Sequence, residues 1–201
     1  MKVLIAGRTK MHGSSRCIGG ITESGKSVRL IQARGRNWDS SAPFKIGELW
    51  EIDFAALSAT TPPHVEDVLV KSYKLLGVEK KPRNYLLARI APWCGGADDL
   101  YDGLVGYTGK HNGYISHSTG LPDRSTWFWT PDQDLVLRED GKHYDYVDGF
   151  IPKGLSYKGE PKALSTIPAG TLVRVSLARW WKPDEVDDLE ERCYLQLSGW
   201  F

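Results

Sequence analysis

The chain has 201 residues, with 26 Lys and Arg against 25 Asp and Glu, so its formal net charge of +1 points to no particular partner. No apolar run approaches the length of a membrane span, and the start MKVLIAGRTK turns basic too soon for a signal peptide. The three Cys lie far apart without a C-x-x-C pair, so neither a zinc knuckle nor a disulfide framework is indicated. Together these features predict a protein of the reducing cytoplasm with no membrane partner.

The first third of the chain has the pattern of short strands. KVLIAG is an apolar run, RCIGGIT and SVRLIQ flank the turn residues ESGK, and VEDVLVKSY follows the breaker TTPPH. GELWEIDF alternates polar and apolar residues, which is the period of a half-buried strand. Five short strands separated by Gly, Pro and Ser predict a small β-barrel or sandwich.

Basic residues concentrate in the same part of the chain. Residues 1–47 carry nine Lys or Arg and two acids, a balance of +7 that leaves −6 for the remainder. A basic module joined to an acidic remainder favours a polyanion partner for the first part, and a solvated basic face accounts for the asymmetry equally well. The candidates for contacts to phosphate are Arg8, Lys10, Lys26, Arg29, Arg34 and Arg36.

The stretch GITESGKS, residues 20–27, fits the P-loop pattern G-x-x-x-x-G-K-[ST] at every position. A P-loop leaves a strand and opens a helix, whereas the residues that follow, VRLIQARG, favour a strand. A β-hairpin with Ser24 and Gly25 at its turn is therefore the preferred interpretation. Lys26 would lie at the hairpin tip as a single positive charge.

The segment PPHVEDV places His64, Glu66 and Asp67 close together in sequence. Metal binding or acid–base chemistry would need a further group from elsewhere in the fold, with His12 and His117 as candidates. Local capping or packing by His64 is the favoured interpretation. The sequence thus predicts no catalytic residue, no metal ligand and no cofactor.

The middle of the chain differs from both ends. RNYLLARIAPW and ADDLYDGLVGY have short helical patterns, separated by Gly95 and Gly96. Residues 76–112 are therefore predicted to form a helical connector between a basic N-terminal barrel, residues 1–75, and a C-terminal barrel, residues 113–201.

The last third returns to strand patterns that are rich in Trp. In the segment SHSTGLPDRSTWFW, Trp127 and Trp129 share one face of a strand with Arg124 nearby, which suggests aromatic stacking beside a cation. In the final strand pair, GTLVRVSLARWW and CYLQLSGWF, one face is apolar and the other carries Arg174, Trp180 and Trp200. That second face is either a platform for stacking bases or a wall on which the other half of the protein packs. The acidic segment 182–192 would repel nucleic acid and reads as a solvated loop or a surface for a basic protein.

Several of these phrases together resemble the dual OB-fold domain family of bacteria: CIGG with GKSVRL, FKIGELWEID, PPHVEDVLV, and IPAGTLVRVSLARWW with ERCYLQLSGWF. The resemblance spans most of the chain. It implies a mainly β protein with two tandem small OB-like β-barrels and a short helical connector. It also implies nucleic-acid binding, often in prokaryotic conflict or defence systems, and no established enzymatic activity.

The favoured function is a non-catalytic module for nucleic acid, with single strands preferred and DNA against RNA left open. Phosphates would contact the basic residues named above, and the stacking candidates are Trp127, Trp129, Trp180 and Trp200. The first alternative is an adaptor subunit of a larger defence complex, whose aromatic faces bind protein. The second is an enzyme, either a P-loop hydrolase or a metal-dependent nuclease built on His64, Glu66 and Asp67.

Overall fold

A computed structural model describes residues 1–57, 60–183 and 189–201. Its N-terminal half contains six strands: β1 (Lys2–Lys10), β2 (Ser15–Thr22), β3 (Ser27–Gln32), β4 (Trp38–Asp39), β5 (Glu48–Ala56) and β6 (Asp67–Val78). The segment that follows contains α1 (Pro82–Leu87), β7 (Trp93–Gly95), 3-10 turns over Ala97–Gly103, β8 (Gly106–Tyr107) and β9 (Gly113–Ser116). The C-terminal half contains β10 (Thr126–Pro131), β11 (Leu135–Leu137), β12 (His143–Asp148), β13 (Ile151–Tyr157), β14 (Thr166–Ile167), β15 (Val173–Leu177) and β16 (Arg192–Trp200).

The N-terminal strands close into a five-stranded barrel. The order is β1-β5-β6-β3-β2, and β2 pairs with β1 to complete the ring. All neighbours are antiparallel except β3 and β6, which run parallel. This is the strand order of an OB-type barrel, so the mainly β fold predicted from the sequence is confirmed.

The C-terminal strands repeat that order in a second sheet. Strands β10 and β11 follow each other with residues 132–134 between them, and they act as two halves of one bent first strand. The first half pairs with β15 and the second with β12, while β13 lies parallel to β16. The sheet therefore runs β11-β12-β13-β16-β15-β10, the same order as the first barrel.

The segment predicted as a helical connector, residues 76–112, mixes short strands with helical turns. It contains the end of β6, the six-residue α1, β7, the 3-10 turns and β8. Strand β7 pairs in parallel with β10, so part of the segment belongs to the second sheet. Helix is thus the smaller part of this stretch.

An apolar cluster joins the two barrels. Each barrel has its own core, and a third cluster of buried residues lies between them: Leu4, Ala6, Ile21, Leu86, Ile90, Phe128 and Leu172. Strand β1 contributes alternate residues to two of these clusters, with Val3 and Ile5 inside the first barrel and Leu4 and Ala6 against the second. A strand buried on both faces needs a continuous apolar run, which is why KVLIAG lacks alternation.

The segment GITESGKS forms a β-hairpin, as the sequence predicts. Strands β2 and β3 are antiparallel, with Ile21 opposite Ser27, and the turn between them contains Gly25 at a φ of +81°. No helix follows the loop, because β3 begins directly at Ser27. The backbone geometry of a P-loop is therefore absent from this stretch of the described chain.

Replacing Gly25 by alanine is expected to lower the free energy of unfolding by about 3 kcal/mol. A side chain is disfavoured at this positive φ, and a Cβ would also overlap the carbonyl oxygen of Arg89. Gly35 is a matched control, since its φ is +74° and nothing lies within 4 Å of its Cβ position. We expect Gly35→Ala to cost about 1 kcal/mol in urea unfolding, and equal losses in the two variants would contradict the packing argument.

Candidate nucleic-acid interface

A cavity of about 930 Å³ lies between the two barrels, and we call it the interbarrel cleft. The first barrel lines it with the end of β1, the β1–β2 loop and residues from β2 and β3. The second barrel lines it with residues 141–142, the segment 157–163, β15 and part of β16. The cleft is therefore a shared surface that neither barrel possesses alone.

Buried polar residues form the floor of the cleft. Arg174 is 3% exposed and Arg29 is 8% exposed, and the hydroxyl residues Ser125, Thr126 and Ser176 are buried beside them. Fully buried charged side chains are rare unless they are paired. The floor thus concentrates hydrogen-bond donors where little water reaches.

Arg174 inserts its guanidinium group into a slot made by two glycines. Gly7 on β1 and Gly19 on β2 are directly opposite each other, and a Cβ at Gly7 would lie 2.7 Å from Nη1 of Arg174. The same Nη1 donates a hydrogen bond to Oγ of Ser198 at 2.8 Å. Within the described residues no carboxylate lies within ion-pair distance of this guanidinium. Burial lowers the pKa of Arg174, and the nearby charges of Cys17 and Glu66 oppose that shift.

Arg29 is held by Asp67 in a buried, two-pronged ion pair. Both Asp67 oxygens accept hydrogen bonds from Arg29, and Arg179 approaches the same carboxylate with an Nη2–Oδ2 distance of 3.1 Å. Asp67 therefore binds two guanidinium groups, that of Arg29 from the first barrel and that of Arg179 from the second. Since one carboxylate serves two guanidinium groups, this part of the cleft keeps a positive excess.

Exposed lysines surround the mouth of the cleft. These four rim lysines are Lys10, Lys142, Lys158 and Lys162. Among the described residues, none of them lies in an ion pair. Among the described residues the lining contains one carboxylate, Glu160, which already pairs with Arg8 and Arg16. The cleft is consequently a positive surface on a chain of nearly zero net charge.

The loops and strands that carry ligands in OB folds converge on this cleft. In such barrels the face of the second and third strands binds oligonucleotides, together with the loops after the first and fourth strands. In the first barrel that face, with Cys17 and Arg29, is turned toward the second barrel and forms one wall. His12, Lys142 and Arg179 come from such loops of the two barrels.

The structure brings two of the predicted phosphate contacts, Lys10 and Arg29, together in the cleft with Arg174, which the sequence placed on the polar face of the last strand pair. Arg8 instead serves the fold, because it is 8% exposed and donates hydrogen bonds to the carbonyl oxygens of Ser40, Ala42 and Phe44 at 2.6 to 2.8 Å. Arg34 and Arg36 are exposed at the turn after β3 and do not line the cleft. The basic N-terminal residues therefore do not act as one surface.

Three other predicted residues meet at a separate pocket of about 310 Å³, which Lys26, Arg124 and Trp127 help to line. The Arg124 guanidinium lies 4.3 Å from the centre of the Trp127 ring and pairs with Asp123. The Trp127 indole N–H donates to the carbonyl oxygen of Ala91 at 2.8 Å. This arrangement places the predicted cation beside an aromatic ring. Its pocket is smaller than the interbarrel cleft, and its arginine is already paired with Asp123.

The remaining Trp candidates lie in packed positions. Trp129 is 0% exposed in the second core, so its ring presents no face to a ligand. Trp200 packs against the same core with its ring centre 5.6 Å from that of Tyr157. Trp180 is stacked on His117 at 4.7 Å and donates to the carbonyl oxygen of Pro62. The polar face of β15 and β16 thus contacts the first barrel through Arg174 and lines the interbarrel cleft with Ser176 and Gln196.

The cluster of His64, Glu66 and Asp67 does not converge on a common ligand. Glu66 accepts hydrogen bonds from the backbone of Ser125 and Thr126, Asp67 binds the arginines, and His64 Nε2 lies 3.7 Å from Sγ of Cys193. The described residues contain no group of three acidic, His or Cys side chains placed to hold a metal ion. Each member joins the two barrels instead.

Protonation of His64 is expected to weaken the fold in acid. Burial lowers the pKa of His64 to about 4, and the positive charge of Arg29 adds to the shift. Because an unfolded His titrates near pH 6.5, this contribution is complete above that pH and is lost as the pH falls toward 4. We expect the loss to reach about 3 kcal/mol of unfolding free energy.

A comparison with His64→Gln isolates this effect from the titration of the carboxylates. Urea unfolding of both proteins between pH 7 and pH 4 should show a smaller decline in the variant. Parallel curves would contradict a buried, neutral His64.

The acidic segment 182–192 falls partly outside the described residues, since 184–188 are not among them. Of its described part, Glu190 accepts a hydrogen bond from Oγ of Ser118 at 2.8 Å. That contact lowers the pKa of Glu190.

Sequence reasoning missed the cleft cations of the second barrel, namely Lys142, Lys158, Lys162 and Arg179. These residues are far apart in sequence and lie in the part of the chain whose charge balance is negative. The one local sign of a basic loop was the segment KGEPK, in which Lys158 and Lys162 flank the turn residues Gly159 and Pro161.

The two barrels and their shared cleft define a tandem OB-fold protein, a class that generally binds nucleic acids and is typically non-catalytic. The sequence model of the family described as the dual OB-containing domain matches residues 1–200, and the chain belongs to that family. No curated protein and no solved structure matches the chain. Among the described residues, no helix is both long and apolar enough to cross a bilayer.

Proposed function

We propose that this protein binds single-stranded nucleic acid in the interbarrel cleft, without catalysing a reaction on it. The observation that carries the proposal is the charge of the described lining residues, where seven Lys and Arg residues face one carboxylate that is already paired. Neutralisation of phosphates by such cations supplies most of the affinity of sequence-independent binding.

The shape of the cleft favours a single strand over a duplex. Its volume of about 930 Å³ is within the range of pockets that enclose a ligand of a few hundred daltons, which corresponds to one or two nucleotides. Tyr157 adds a half-buried aromatic ring to the lining, and aromatic rings stack on bases of any sequence. The rim lysines would follow the backbone on either side.

Fluorescence-anisotropy titration with labelled single-stranded DNA, single-stranded RNA and duplex DNA tests this function. We expect dissociation constants in the micromolar range or below for at least one single strand at 50 mM salt, with a steep loss at 200 mM. A flat response to salt, or no binding to any of the three, would overturn the proposal. The ranking of DNA and RNA is an outcome of the same experiment.

An adaptor role is the second candidate, and an exposed apolar hairpin tip favours it. At the turn between β12 and β13, Phe150 is 104% exposed, Ile151 is 54% exposed and Val147 is 48% exposed. Contiguous exposed apolar residues often mark a protein contact. Co-purification with the product of a neighbouring gene, lost on Phe150→Ser, would support this role. The prokaryotic defence setting stays a prediction from the family resemblance.

A further inference from the structure

Donors at the floor of the cleft are left without protein acceptors. Arg174 makes one side-chain hydrogen bond, to Ser198, and Arg29 uses its Nε and Nη2 for Asp67. Ser176 and Gln196 are register partners on β15 and β16 and also line the cleft, and neither side chain hydrogen-bonds to another described residue. None of these unpaired donors is among the fully buried polar atoms that lack a partner, so they are accessible from the cleft and available to an acceptor that enters it.

The missing acceptor is an anion. Arg174 is 3% exposed and has no carboxylate partner among the described residues, although a buried guanidinium is costly without one. Guanidinium groups match the geometry of phosphate oxygens and form short, charge-assisted hydrogen bonds with them. A tetrahedral oxyanion would contact the two arginines together with the hydroxyl and amide groups beside them.

Contacts between the barrels bound the cleft on two sides. On one side the backbone N–H of Lys10 donates to the carbonyl oxygen of Lys158 at 2.9 Å, and Thr9 forms a β-bridge with Gly159. On the other side the hydroxyl groups of Ser27 and Thr126 are 2.7 Å apart. These contacts join the barrels at two places beside the cleft, which suits a chain end better than a chain passing through.

We propose that the floor of the cleft binds a phosphate monoester, the group carried by a phosphorylated strand end or by a free nucleotide. A monoester carries a charge of about −1.5 to −2 at pH 7 and three strong acceptor oxygens, whereas an internal phosphodiester carries one charge. The two guanidinium groups of the floor would therefore bind the monoester more tightly than the phosphodiester. The strand-end form rests on the nucleic-acid function proposed above.

The test compares one oligonucleotide sequence with a 5′-phosphate, with a 3′-phosphate and with hydroxyls at both ends. We expect one phosphorylated form to bind about 10- to 100-fold more tightly than the hydroxyl form, as expected for one or two charge-assisted hydrogen bonds. Inorganic phosphate and a nucleoside monophosphate, added as competitors, show whether the floor takes the group without a strand. The preference should fall below about pH 6, where the monoester loses its second charge.

Variants separate the floor from the rim. Ser176→Ala and Gln196→Leu remove floor donors and leave Arg174 in its slot, so we expect them to reduce the preference for the phosphorylated form several-fold. Arg174→Lys keeps the positive charge but loses the planar geometry, and should reduce the preference further. Thermal unfolding checks that each variant is folded, and removal of the rim lysines should weaken both oligonucleotide forms by the same factor.

The outcomes distinguish the two proposals. Equal affinities for the phosphorylated and hydroxyl forms would overturn the monoester site and leave nucleic-acid binding in place. Binding of phosphate or the monophosphate, with no oligonucleotide bound, would support the monoester site and overturn the strand-binding function. Absence of binding by every probe would overturn both.

Discussion

Removal of the four rim lysines is expected to lower the affinity for single-stranded nucleic acid by about 50-fold or more at low salt. Each lysine that neutralises a phosphate adds about 0.7 to the steepness of the logarithmic salt dependence for a single strand. Four such contacts give a slope of about 2.8, so raising the salt from 50 to 200 mM should cost the unmodified protein about 50-fold more affinity than the variant. The variant should therefore bind at least about 50-fold more weakly than the unmodified protein at 50 mM salt. The substitutions are Lys10→Ala, Lys142→Ala, Lys158→Ala and Lys162→Ala, measured by anisotropy across that salt range.

A second quadruple variant controls for net charge. It replaces four exposed lysines that do not line the cleft: Lys2, Lys71, Lys74 and Lys80. Both proteins lose four positive charges, so a general attraction between protein and polyanion would weaken equally in both. Equal losses would contradict the placement of the nucleic acid in the cleft, whereas a loss confined to the rim variant would support it.

Replacement of Glu66 by alanine is expected to lower the free energy of unfolding by about 3 to 5 kcal/mol. The side chain is 6% exposed, and its oxygens accept hydrogen bonds from the backbone N–H of Ser125 at 2.6 Å, from the Ser125 hydroxyl at 2.7 Å and from the N–H of Thr126 at 2.9 Å. Truncation leaves these three donors buried without an acceptor. It also removes a negative charge near Arg29 and Arg174.

Urea unfolding of three variants measures this effect. Glu66→Gln retains one acceptor oxygen and should lose less than Glu66→Ala, while Glu23→Ala, at an exposed position, should change stability by less than about 0.5 kcal/mol. A loss below 1 kcal/mol for Glu66→Ala would show that the barrels do not depend on this contact.

Local patterns were enough to predict the main strands of the first barrel. The hairpin at Gly25 follows from a turn residue between two strand-like runs, and the alternation in GELWEIDF predicts β5. The first strand of the C-terminal barrel was harder to define, because β10 and β11 are two halves of one bent strand. Bends of that kind depend on which neighbours each half pairs with, and those neighbours are distant in sequence.

The burial of charged residues was beyond sequence reasoning. Alternation along a strand places Arg29 and Arg174 on the face away from their own core, which predicts exposure for an isolated barrel. In the structure that face is covered by the other barrel, and Arg174 finds a slot because Gly7 and Gly19 lack side chains. Two glycines opposite each other on neighbouring strands are visible in a sequence only when the register is known.

The positive charge of the cleft could not be predicted from the sequence, for a related reason. The three rim lysines of the second half lie in a region where acidic residues outnumber basic ones. The net charge summed along that region is therefore negative and gives no sign of them. Folding separates the charges in space, since loops that are far apart in sequence meet at the mouth. The positive surface is thus a property of the topology.

The apolar cluster between the barrels has a consequence for synthesis of the chain. Leu4, Ala6 and Ile21 leave the ribosome early, whereas Phe128 and Leu172, which cover them, are added more than a hundred residues later. At a translation rate of about 5–20 residues per second, the completed first barrel would expose this apolar surface for roughly 5 to 20 seconds before Leu172 is added. During that interval it is a natural client for a ribosome-associated chaperone, and a truncated chain that ends before β10 would keep that liability permanently.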